Sequence, residues 1–213
     1  MDAVALTVAA LVDRARALAA PGGRAVLGVT GPPGAGKTTL ARAVAAALGP
    51  QLCALVPMDG FHLSNATLRA WDRRDRKGAP DTFDVGGYLA LLHRLRAHDE
   101  DVVHAPDFDR AHDESIGSAI PVPHDVPLVL TEGNYLLTDR GRWSQVAQLL
   151  DESWYVELDD PTRHERLTLR HEAHGMGHAD AVAWTMGSDE TNAGLIVRGR
   201  ERADLVVRVR TAD

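Results

Sequence analysis

The chain has 213 residues, of which 45% are hydrophobic and 25% are charged, a balance typical of a single globular α/β domain. Its net charge of −7 argues against a nucleic-acid partner, because proteins that bind a phosphate backbone usually carry a basic surface. The single cysteine, Cys53, excludes an internal disulfide and fits a cytoplasmic location, and no apolar run is long enough to span a membrane.

The first predicted element is a helix within residues 1–20, a stretch rich in alanine. Its apolar side chains recur at helical spacing and define one face: Val4, Val8, Leu11, Ala15 and Leu18. Charged residues interrupt the stretch, which argues against a secretory signal. Pro21-Gly22-Gly23 is expected to end the helix.

Apolar strand-like runs then alternate with helical patterns, which predicts a central parallel sheet with helices on both faces. The predicted strands of this sheet are 25–30, 52–57, 127–131, 154–158 and 205–209. The predicted helices are 37–48, 84–98, 142–150, 160–174 and a further helical stretch that reaches about residue 202. No linker divides the chain, so we predict one domain over residues 1–213.

A glycine-rich loop joins the predicted strand 25–30 to the predicted helix 37–48. Its sequence is Gly31-Pro32-Pro33-Gly34-Ala35-Gly36-Lys37-Thr38, which has the spacing and the context of a nucleotide-binding P-loop. Backbone N–H groups of such a loop surround the β-phosphate, the lysine neutralises the β- and γ-phosphates, and the threonine hydroxyl binds Mg²⁺. We therefore predict that residues 31–38, together with Thr39, bind ATP and Mg²⁺.

Two carboxylates follow other predicted strands, at the end of the sheet where this loop lies. Glu132 ends the apolar run 128–131 and is predicted to bind Mg²⁺ together with Thr38. Asp59 follows the strand 52–57 and is predicted to orient an acceptor hydroxyl and take its proton. The pattern alone leaves open the plainer alternative that Asp59 is a turn residue in an Asp-Gly pair.

Several segments resemble the pantothenate kinase/uridine kinase family of P-loop kinases, which includes phosphoribulokinase. They are Met58-Asp59-Gly60-Phe61-His62, Lys77-Gly78-Ala79-Pro80-Asp81-Thr82-Phe83-Asp84, Ala105-Pro106-Asp107-Phe108-Asp109-Arg110, Thr131-Glu132-Gly133-Asn134-Tyr135-Leu136-Leu137 and Asp159-Asp160-Pro161. The match is collinear over nearly the whole chain, and the length and spacing are most similar to a small bacterial branch called fructose-transport-system kinase-like or nucleoside/nucleotide kinase-like. The resemblance implies an α/β, three-layer P-loop NTPase fold with a central parallel sheet and a small lid. It also implies that Asp59 is the catalytic carboxylate.

Two departures from the family pattern bear on the acceptor. Uridine kinases have an aspartate that contacts ribose two residues before the proline matched by Pro80, whereas this chain has Gly78 there. Bacterial pantothenate kinases are longer and have a histidine-containing segment where this chain has Phe108-Asp109-Arg110. The acceptor therefore stays open among a sugar such as fructose, a pantothenate-like compound and a nucleoside.

The stretch from about 61 to 123 is predicted to leave the main sheet and to form the acceptor side of the site. It contains a short predicted helix at 64–71 and two predicted strands at 102–108 and 118–122. The candidates for contacts with a hydroxylated acceptor are His62, Asp81, Asp109, Arg110 and His112. For each of them the alternative is an ordinary solvated loop residue.

A lid is predicted at about 163–187. Arg163, Arg166 and Arg170 recur at i, i+3 and i+7 of the predicted helix, which predicts three guanidiniums on one face. Because the resemblance implies that lid arginines close over ATP, Arg166 and Arg170 are assigned to catalysis. Arg163 and, near the C-terminus, Arg198 are assigned to nucleotide binding. The alternative is a solvated face whose arginines pair with neighbouring glutamates.

The lid also contains two glycines and three histidines. Gly175 and Gly177 interrupt the helical pattern and are predicted to act as hinges. The histidines are His171, His174 and His178. A structural metal site on these histidines is the less favoured hypothesis, because their spacing crosses the glycine break and no cysteine lies nearby.

Together these features predict an ATP-dependent kinase that transfers the γ-phosphoryl group to a hydroxyl of a small metabolite. Two rivals are a nucleotide-dependent switch or ATPase and a non-catalytic nucleotide-binding module. A guanine-reading Asn-Lys-x-Asp sequence is absent, which argues against a GTPase switch. Lys37, Asp59 and Glu132 occur together, which argues against a degenerate module. The expected partner is a small hydroxylated molecule, with no nucleic acid and no membrane, and the sequence leaves a homodimer open.

Overall fold

The computed structural model describes residues 2–19 and 23–210. Its strands are β1 (Val4–Thr7), β2 (Ala25–Thr30), β3 (Cys53–Leu55), β4 (Val102–Asp109), β5 (Glu114–Pro123), β6 (Leu128–Glu132), β7 (Glu152–Val156) and β8 (Leu205–Arg210). Its α-helices are α1 (Val8–Leu18), α2 (Lys37–Leu48), α3 (Asn65–Ala70), α4 (Val85–Ala97), α5 (Asp160–Ala173), α6 (His178–Trp184) and α7 (Glu190–Ile196). Six strands pair in parallel in the order β1-β8-β7-β2-β6-β3, while β4 and β5 form a separate antiparallel pair.

The parallel sheet separates two hydrophobic cores, which confirms the predicted α/β fold with helices on both faces. Side chains alternate along a strand, so those of β2 reach both cores. Leu27 and Val29 pack with α1 and α2, including Val44 of α2. Val26 faces the other core, together with Leu92 of α4. Because both faces of β2 are covered, the strand is apolar along its whole length rather than alternating.

The position of β2 decides where the functional loops meet. It lies between β6 and β7, and Val29 is opposite Glu132 on one side and Trp154 on the other. Because the strands are parallel, their carboxyl ends lie along one edge of the sheet. The segments that follow Thr30, Leu55 and Glu132 therefore meet at that edge.

The prediction of an N-terminal helix is wrong for residues 4–7, which form the edge strand β1. These residues pair with residues 207–210 of β8. Helix α1 begins only at Val8 and buries Leu11 and Ala15 against the sheet. A short apolar run fits a strand as well as a helix, and pairing with a distant strand decides between them. The predicted stop at Pro21-Gly22 lies outside the described residues.

The excursion between β3 and β6 contains α3, α4 and the β4–β5 hairpin, as predicted. Asp84 caps α4, and its carboxylate accepts a hydrogen bond from the backbone N–H of Gly87 at 2.8 Å. The hairpin register shifts between Ala105 and Asp107, at Pro106, because proline has no N–H to donate to the ladder. The shift bends the hairpin beside the segment that follows β3.

Residues 142–150, predicted as an α-helix, instead form two 3₁₀ turns, Gly141–Gln145 and Ala147–Leu149. Trp143, Val146 and Leu149 are the buried side chains of this segment. They are three residues apart, which is the period of a 3₁₀ helix, so this tighter winding places all three on the core side.

The lid region consists of α5, α6, a π-helical turn at Thr185–Asp189, and α7. Helix α5 is capped by Asp159, one residue before the predicted cap, and its carboxylate accepts from the Thr162 N–H at 3.0 Å. The helical stretch predicted to about residue 202 is thus broken into several pieces, the last of them a 3₁₀ helix. Among the described residues no helix has the length and apolar character needed to cross a bilayer.

Cys53 is 5% exposed in β3, and burial raises the pKa of its thiol to about 11. The thiolate is the reactive form of cysteine, so at about pH 8 the folded protein should react with iodoacetamide roughly 100-fold more slowly than the protein in guanidinium chloride. Alkylation rates measured by mass spectrometry check this expectation. Equal rates in the two conditions would show that β3 opens readily to solvent.

Candidate active site

The P-loop between β2 and α2 uses its glycines where other residues do not fit. Gly34 and Gly36 have φ angles of +82° and +93°, in the left-handed region that glycine tolerates best. A Cβ on Gly34 would lie 2.8 Å from the carbonyl oxygen of Arg163, and one on Gly31 would lie 2.6 Å from that of Val156. The loop is therefore packed directly against the end of β7 and the first turn of α5.

Lys37 is the first residue of α2, with Gly36 as the N-cap. The first-turn N–H groups of α2 therefore adjoin the P-loop, and no acidic side chain lies in that turn. Burial lowers the pKa of the Lys37 ammonium, and the negative charges of Glu132 and Asp59 oppose this effect. Lys37 thus lies close to both of the predicted carboxylates.

Glu132, at the end of β6, is 2% exposed and accepts a hydrogen bond from the Thr38 hydroxyl at 2.9 Å. Burial raises the pKa of the Glu132 carboxyl, and the neighbouring negative charge of Asp59 raises it further. The positive charge of Lys37 and the hydrogen bond from Thr38 act in the opposite direction. A hydroxyl and a carboxylate held together in this way are ligands that Mg²⁺ accepts, so these residues fit the predicted metal.

The neighbouring strand ends bring Asp59 to Glu132. The hydroxyl of Thr131 donates to the carbonyl oxygen of Val56 at 2.7 Å, which ties the end of β6 to the segment after β3. A Cβ on Gly133 would lie 2.5 Å from Cβ of Met58, so only glycine allows this approach. The 3₁₀ turn Met58–Phe61, which contains Asp59, is thereby placed against the carboxyl end of β6.

Two of the predicted acceptor residues, Arg110 and His62, contact Asp59. Nη2 of Arg110 donates to Oδ2 of Asp59 at 3.0 Å. Nδ1 of His62 donates to the carbonyl oxygen of Asp59 at 2.8 Å, and burial lowers the pKa of this imidazole. Because a carbonyl oxygen can only accept, Nδ1 carries the hydrogen and Nε2 of neutral His62 keeps its lone pair. The ring centroids of Phe83 and Phe108 lie 4.0 and 4.7 Å from the centroid of the imidazole, so both rings pack against it and fix its orientation.

The other three acceptor candidates make local contacts within the excursion. Asp81 accepts two hydrogen bonds of 2.7 Å from the guanidinium of Arg76. Asp109 accepts from the backbone N–H of Ala111 at 2.8 Å and so closes the turn between β4 and β5. The imidazole of His112, 76% exposed, bonds to the same carboxylate at 2.8 Å. These contacts stabilise the loops of the excursion, and a contact of the three residues with an acceptor stays a prediction.

A cavity of about 1310 Å³ lies over the P-loop and is the predicted nucleotide site. Arg166 and Arg170 of α5 line it, together with Lys37, Thr38 and Thr39. A Cβ on Gly36 would lie 3.6 Å from Nη1 of Arg166, so this guanidinium is close to the loop. The positive charge of Arg170 further lowers the pKa of Lys37, so Arg170 is near this lysine.

Arg163 does not line this cavity, contrary to the prediction that it binds the nucleotide, whereas the nucleotide-binding role of the exposed Arg198 stays a prediction. The Arg163 side chain is 1% exposed and forms ion pairs with Asp160, at 3.1 Å, and with Glu190 of α7. The three arginines of α5 are thus not on one accessible face, because α7 draws the first of them inward. Arg200, two residues after Arg198, lines the cavity and bonds to Glu157 at 2.7 Å.

An Arg163→Met variant separates the two roles of this side chain. We expect it to lower the free energy of unfolding by about 1–3 kcal/mol, because it removes charged hydrogen bonds between α5 and α7, and to leave the ATP affinity nearly unchanged. Urea unfolding and ATP titration measure the two quantities, with the exposed Arg140→Met as the control. A large loss of ATP affinity at unchanged stability would restore the nucleotide-binding role.

The three lid histidines have separate partners. His171 bonds to Asp189 at 2.7 Å, His178 pairs with Glu172, and Nδ1 of His174 donates to the carbonyl oxygen of Arg170 at 2.6 Å. Within residues 2–19 and 23–210 no group of three potential ligands is placed to hold a metal ion.

Asp189 and Tyr135 are two residues of the site that motif reading did not select. Asp189, 8% exposed, ends the π-helical turn, and its negative charge opposes the lowering of the Lys37 pKa. The Tyr135 hydroxyl donates to the carbonyl oxygen of Gly78 at 2.6 Å. Burial raises the pKa of Tyr135, and the negative charges of Asp59 and Asp189 raise it further. The sequence signal that could have pointed to Tyr135 is its position three residues after Glu132.

Comparison with known proteins bears on the family. A model of the ATPase family associated with various cellular activities (AAA) matches residues 27–77, which contain the P-loop. Protein YggC of Escherichia coli (strain K12), itself uncharacterised, is 35% identical over 193 residues, which are 89% of this chain and 79% of YggC. A Schizosaccharomyces pombe protein provisionally named a uridine kinase is 28% identical over 195 residues, 87% of this chain and 83% of its own.

A solved structure supports the same family assignment as these relatives. The crystal structure of a protein from Silicibacter sp. TM1040, provisionally named a fructose transport system kinase, shares 38% identity with a TM-score of 0.83. The match covers 95% of this chain and 98% of that protein. The chain therefore belongs to the family of P-loop kinases that includes uridine kinase, pantothenate kinase and phosphoribulokinase, which makes it an ATP-dependent phosphotransferase with a hydroxyl acceptor.

Proposed function

We propose that this kinase phosphorylates a small polyhydroxylated metabolite at the site formed by the P-loop, Asp59 and the lid arginines. One observation supports the proposal above all: Lys37, Glu132 and Asp59 come from three different strand ends, and each is close enough to alter the ionisation of another. A switch or a binding module needs the P-loop and the metal ligands, whereas a transferase also needs a carboxylate placed to meet an acceptor.

Asp59 is the proposed general base. The hydrogen bond from Arg110 reaches Oδ2, which leaves Oδ1 available for an acceptor hydroxyl. The proton of that hydroxyl passes to the Asp59 carboxylate as the acceptor oxygen bonds to the γ-phosphorus. The bond between this phosphorus and the β–γ bridging oxygen breaks, and ADP leaves with that oxygen. Lys37, Arg166 and Arg170 offset the negative charge of the phosphoryl group during the transfer.

Thr38 and Glu132 are the proposed holders of Mg²⁺, which when bound neutralises charge on the β- and γ-phosphates. Binding the phosphates and excluding water are tasks of the chain's own residues. The P-loop backbone and the first turn of α2 bind the phosphates, and burial of Lys37 and Glu132 limits the access of water to the reacting groups.

For the acceptor we propose a sugar rather than a nucleoside. Gly78 occupies the position at which uridine kinases present a ribose-contacting carboxylate, and its φ of +100° disfavours any side chain there. Its carbonyl oxygen is bonded to the Tyr135 hydroxyl. The name given to the Silicibacter relative also points to a sugar.

An acceptor screen tests the proposed function. Purified protein with Mg²⁺ and ATP is offered separate pools of sugars, hydroxy acids, pantothenate and nucleosides, and ADP release is followed by a coupled assay. We expect at least one neutral sugar to stimulate ADP release above the rate without acceptor. ADP release that no acceptor increases would favour an ATPase or switch, and nucleoside-dependent release would overturn the sugar assignment. The Lys37→Met variant is the background control.

A further inference from the structure

Arg110 connects the acceptor side of the site with the phosphate side. Of residues 61–123, it is the one that lines the cavity over the P-loop, where Lys37, Arg166 and Arg170 also lie. At the same time its Nη2 bonds to Oδ2 of Asp59 at 3.0 Å. One guanidinium therefore contacts the proposed base and faces the proposed position of the transferring phosphoryl group.

Backbone contacts fix the position of Arg110 relative to Asp59. A Cβ on Gly60 would lie 2.3 Å from the carbonyl oxygen of Pro106, so the chain after Asp59 touches β4 directly. The Ser115 hydroxyl donates to the carbonyl oxygen of His62 at 2.9 Å, which ties β5 to the same segment. Because Asp109 closes the turn between these strands, Arg110 projects from a short, well-held hairpin end.

The ion pair between Arg110 and Asp59 is easily exchanged for another. The two side chains are 52% and 27% exposed, and pairs of this kind contribute only about 0–1 kcal/mol to stability. Only one guanidinium N–H is used in the pair, which leaves the others for phosphate oxygens. An incoming γ-phosphate carries more negative charge than a single carboxylate and suits the planar fork of an arginine.

We propose that Arg110 leaves Asp59 when the nucleotide binds and stabilises the transferring phosphoryl group from the acceptor side. This inference rests on the proposed phosphotransfer at the same site. Arg110 donates to the non-bridging oxygens while the bond to the acceptor oxygen forms and the bond to ADP breaks, and Asp59 is thereby uncovered to take the hydroxyl proton. Without nucleotide the base stays covered, so the acceptor reacts only after ATP is in place.

A transition-state analogue tests this role without a known acceptor. The probe is MgADP with aluminium fluoride, which mimics a phosphoryl group in transfer, and calorimetry compares its affinity with that of MgADP alone. We expect aluminium fluoride to tighten ADP binding to the wild-type protein. In Arg110→Gln this gain, the ratio of the ADP affinities with and without aluminium fluoride, should be about tenfold smaller. Affinity for ADP alone should change little, because the ground-state phosphates lie on the P-loop. Arg110→Lys should recover part of the gain.

The control is Arg69→Gln, which removes an exposed arginine from α3 of the same excursion and should keep the full gain. A full gain in Arg110→Gln, with thermal unfolding as in the wild type, overturns the inference. Equal weakening of ADP with and without aluminium fluoride also overturns it, because Arg110 would then bind the ground state. Absence of the gain in the wild type instead counts against the proposed site of phosphotransfer, because no group there would then favour the transferring phosphoryl group.

Discussion

An Asp59→Asn variant is expected to lose about 10²- to 10⁴-fold in kcat, because the amide cannot accept the proton of the acceptor hydroxyl. Asparagine has nearly the same shape, and its amide oxygen can still accept the hydrogen bond from Arg110. Because Asp59 lies on the acceptor side, in the 3₁₀ turn Met58–Phe61 rather than in the P-loop, ATP binding should stay nearly intact. Acceptor-dependent ADP release and an ATP titration measure the two effects separately.

The matched control for this variant is Asp75→Asn, which neutralises an exposed carboxylate of the same excursion. It should keep wild-type turnover, since it changes net charge equally without touching the site. Full activity in Asp59→Asn would show that Asp59 is not the general base and is an ordinary turn residue. Loss of ATP binding in the same variant would show that it supports the nucleotide site rather than the chemistry.

A Lys37→Met variant is expected to reduce kcat/KM by about 10²- to 10³-fold and to weaken ATP binding as well. Methionine keeps much of the buried volume but removes the cation that lies beside Glu132 and Asp59. The repulsion of the two carboxylates from each other and from the phosphates would then lose the compensation that Lys37 supplies. Lys37→Arg, which keeps the charge in a larger planar group, should bind ATP better than Lys37→Met and still turn over slowly.

Chemical labelling gives an independent measurement on the same residue. The chain has only two lysines, Lys37 and Lys77, so peptide mass spectrometry after acylation reports each amine separately. Because burial lowers the pKa of Lys37, a larger share of its amine is neutral and nucleophilic near pH 8 than in an ordinary lysine. ATP with Mg²⁺ should slow the labelling of Lys37, whereas Lys77, whose side chain is 8% exposed and pairs with Asp113, should keep the labelling rate that it has without ATP. Unchanged labelling of Lys37 at saturating ATP would contradict the assigned phosphate contact.

The parts of the site that the sequence alone predicted depend on local geometry. The P-loop was readable because a strand, a fixed run of glycines and a helix start determine it within eight consecutive positions, residues 31–38. Asp59 and Glu132 were readable for a related reason. Parallel strands bring their carboxyl ends to one edge of the sheet. A carboxylate at the end of such a strand, or shortly after it, must therefore lie near the loop.

Other predictions failed because distant segments decided them. The spacing of Arg163, Arg166 and Arg170 predicted one shared face, but Glu190 of α7 pairs with the first of them and buries it. Residues 4–7 continued a helical pattern, yet they pair with residues 207–210 of β8, at the other end of the chain. Neither partner leaves a mark in the local sequence, because the competition is between contacts that only the folded chain brings together.

ATP binding and the expected position of the nucleotide at the carboxyl end of the sheet were thus predictable, since both follow from short-range spacing and from the direction of parallel strands. The cations that line the cavity over the P-loop follow instead from contacts between distant segments. Arg163 pairs with Glu190 of α7, and Arg110 reaches Asp59 from a hairpin more than fifty residues away. The reason is physical: the free energy of an ion pair depends on the position and burial of both partners, and chain spacing specifies neither.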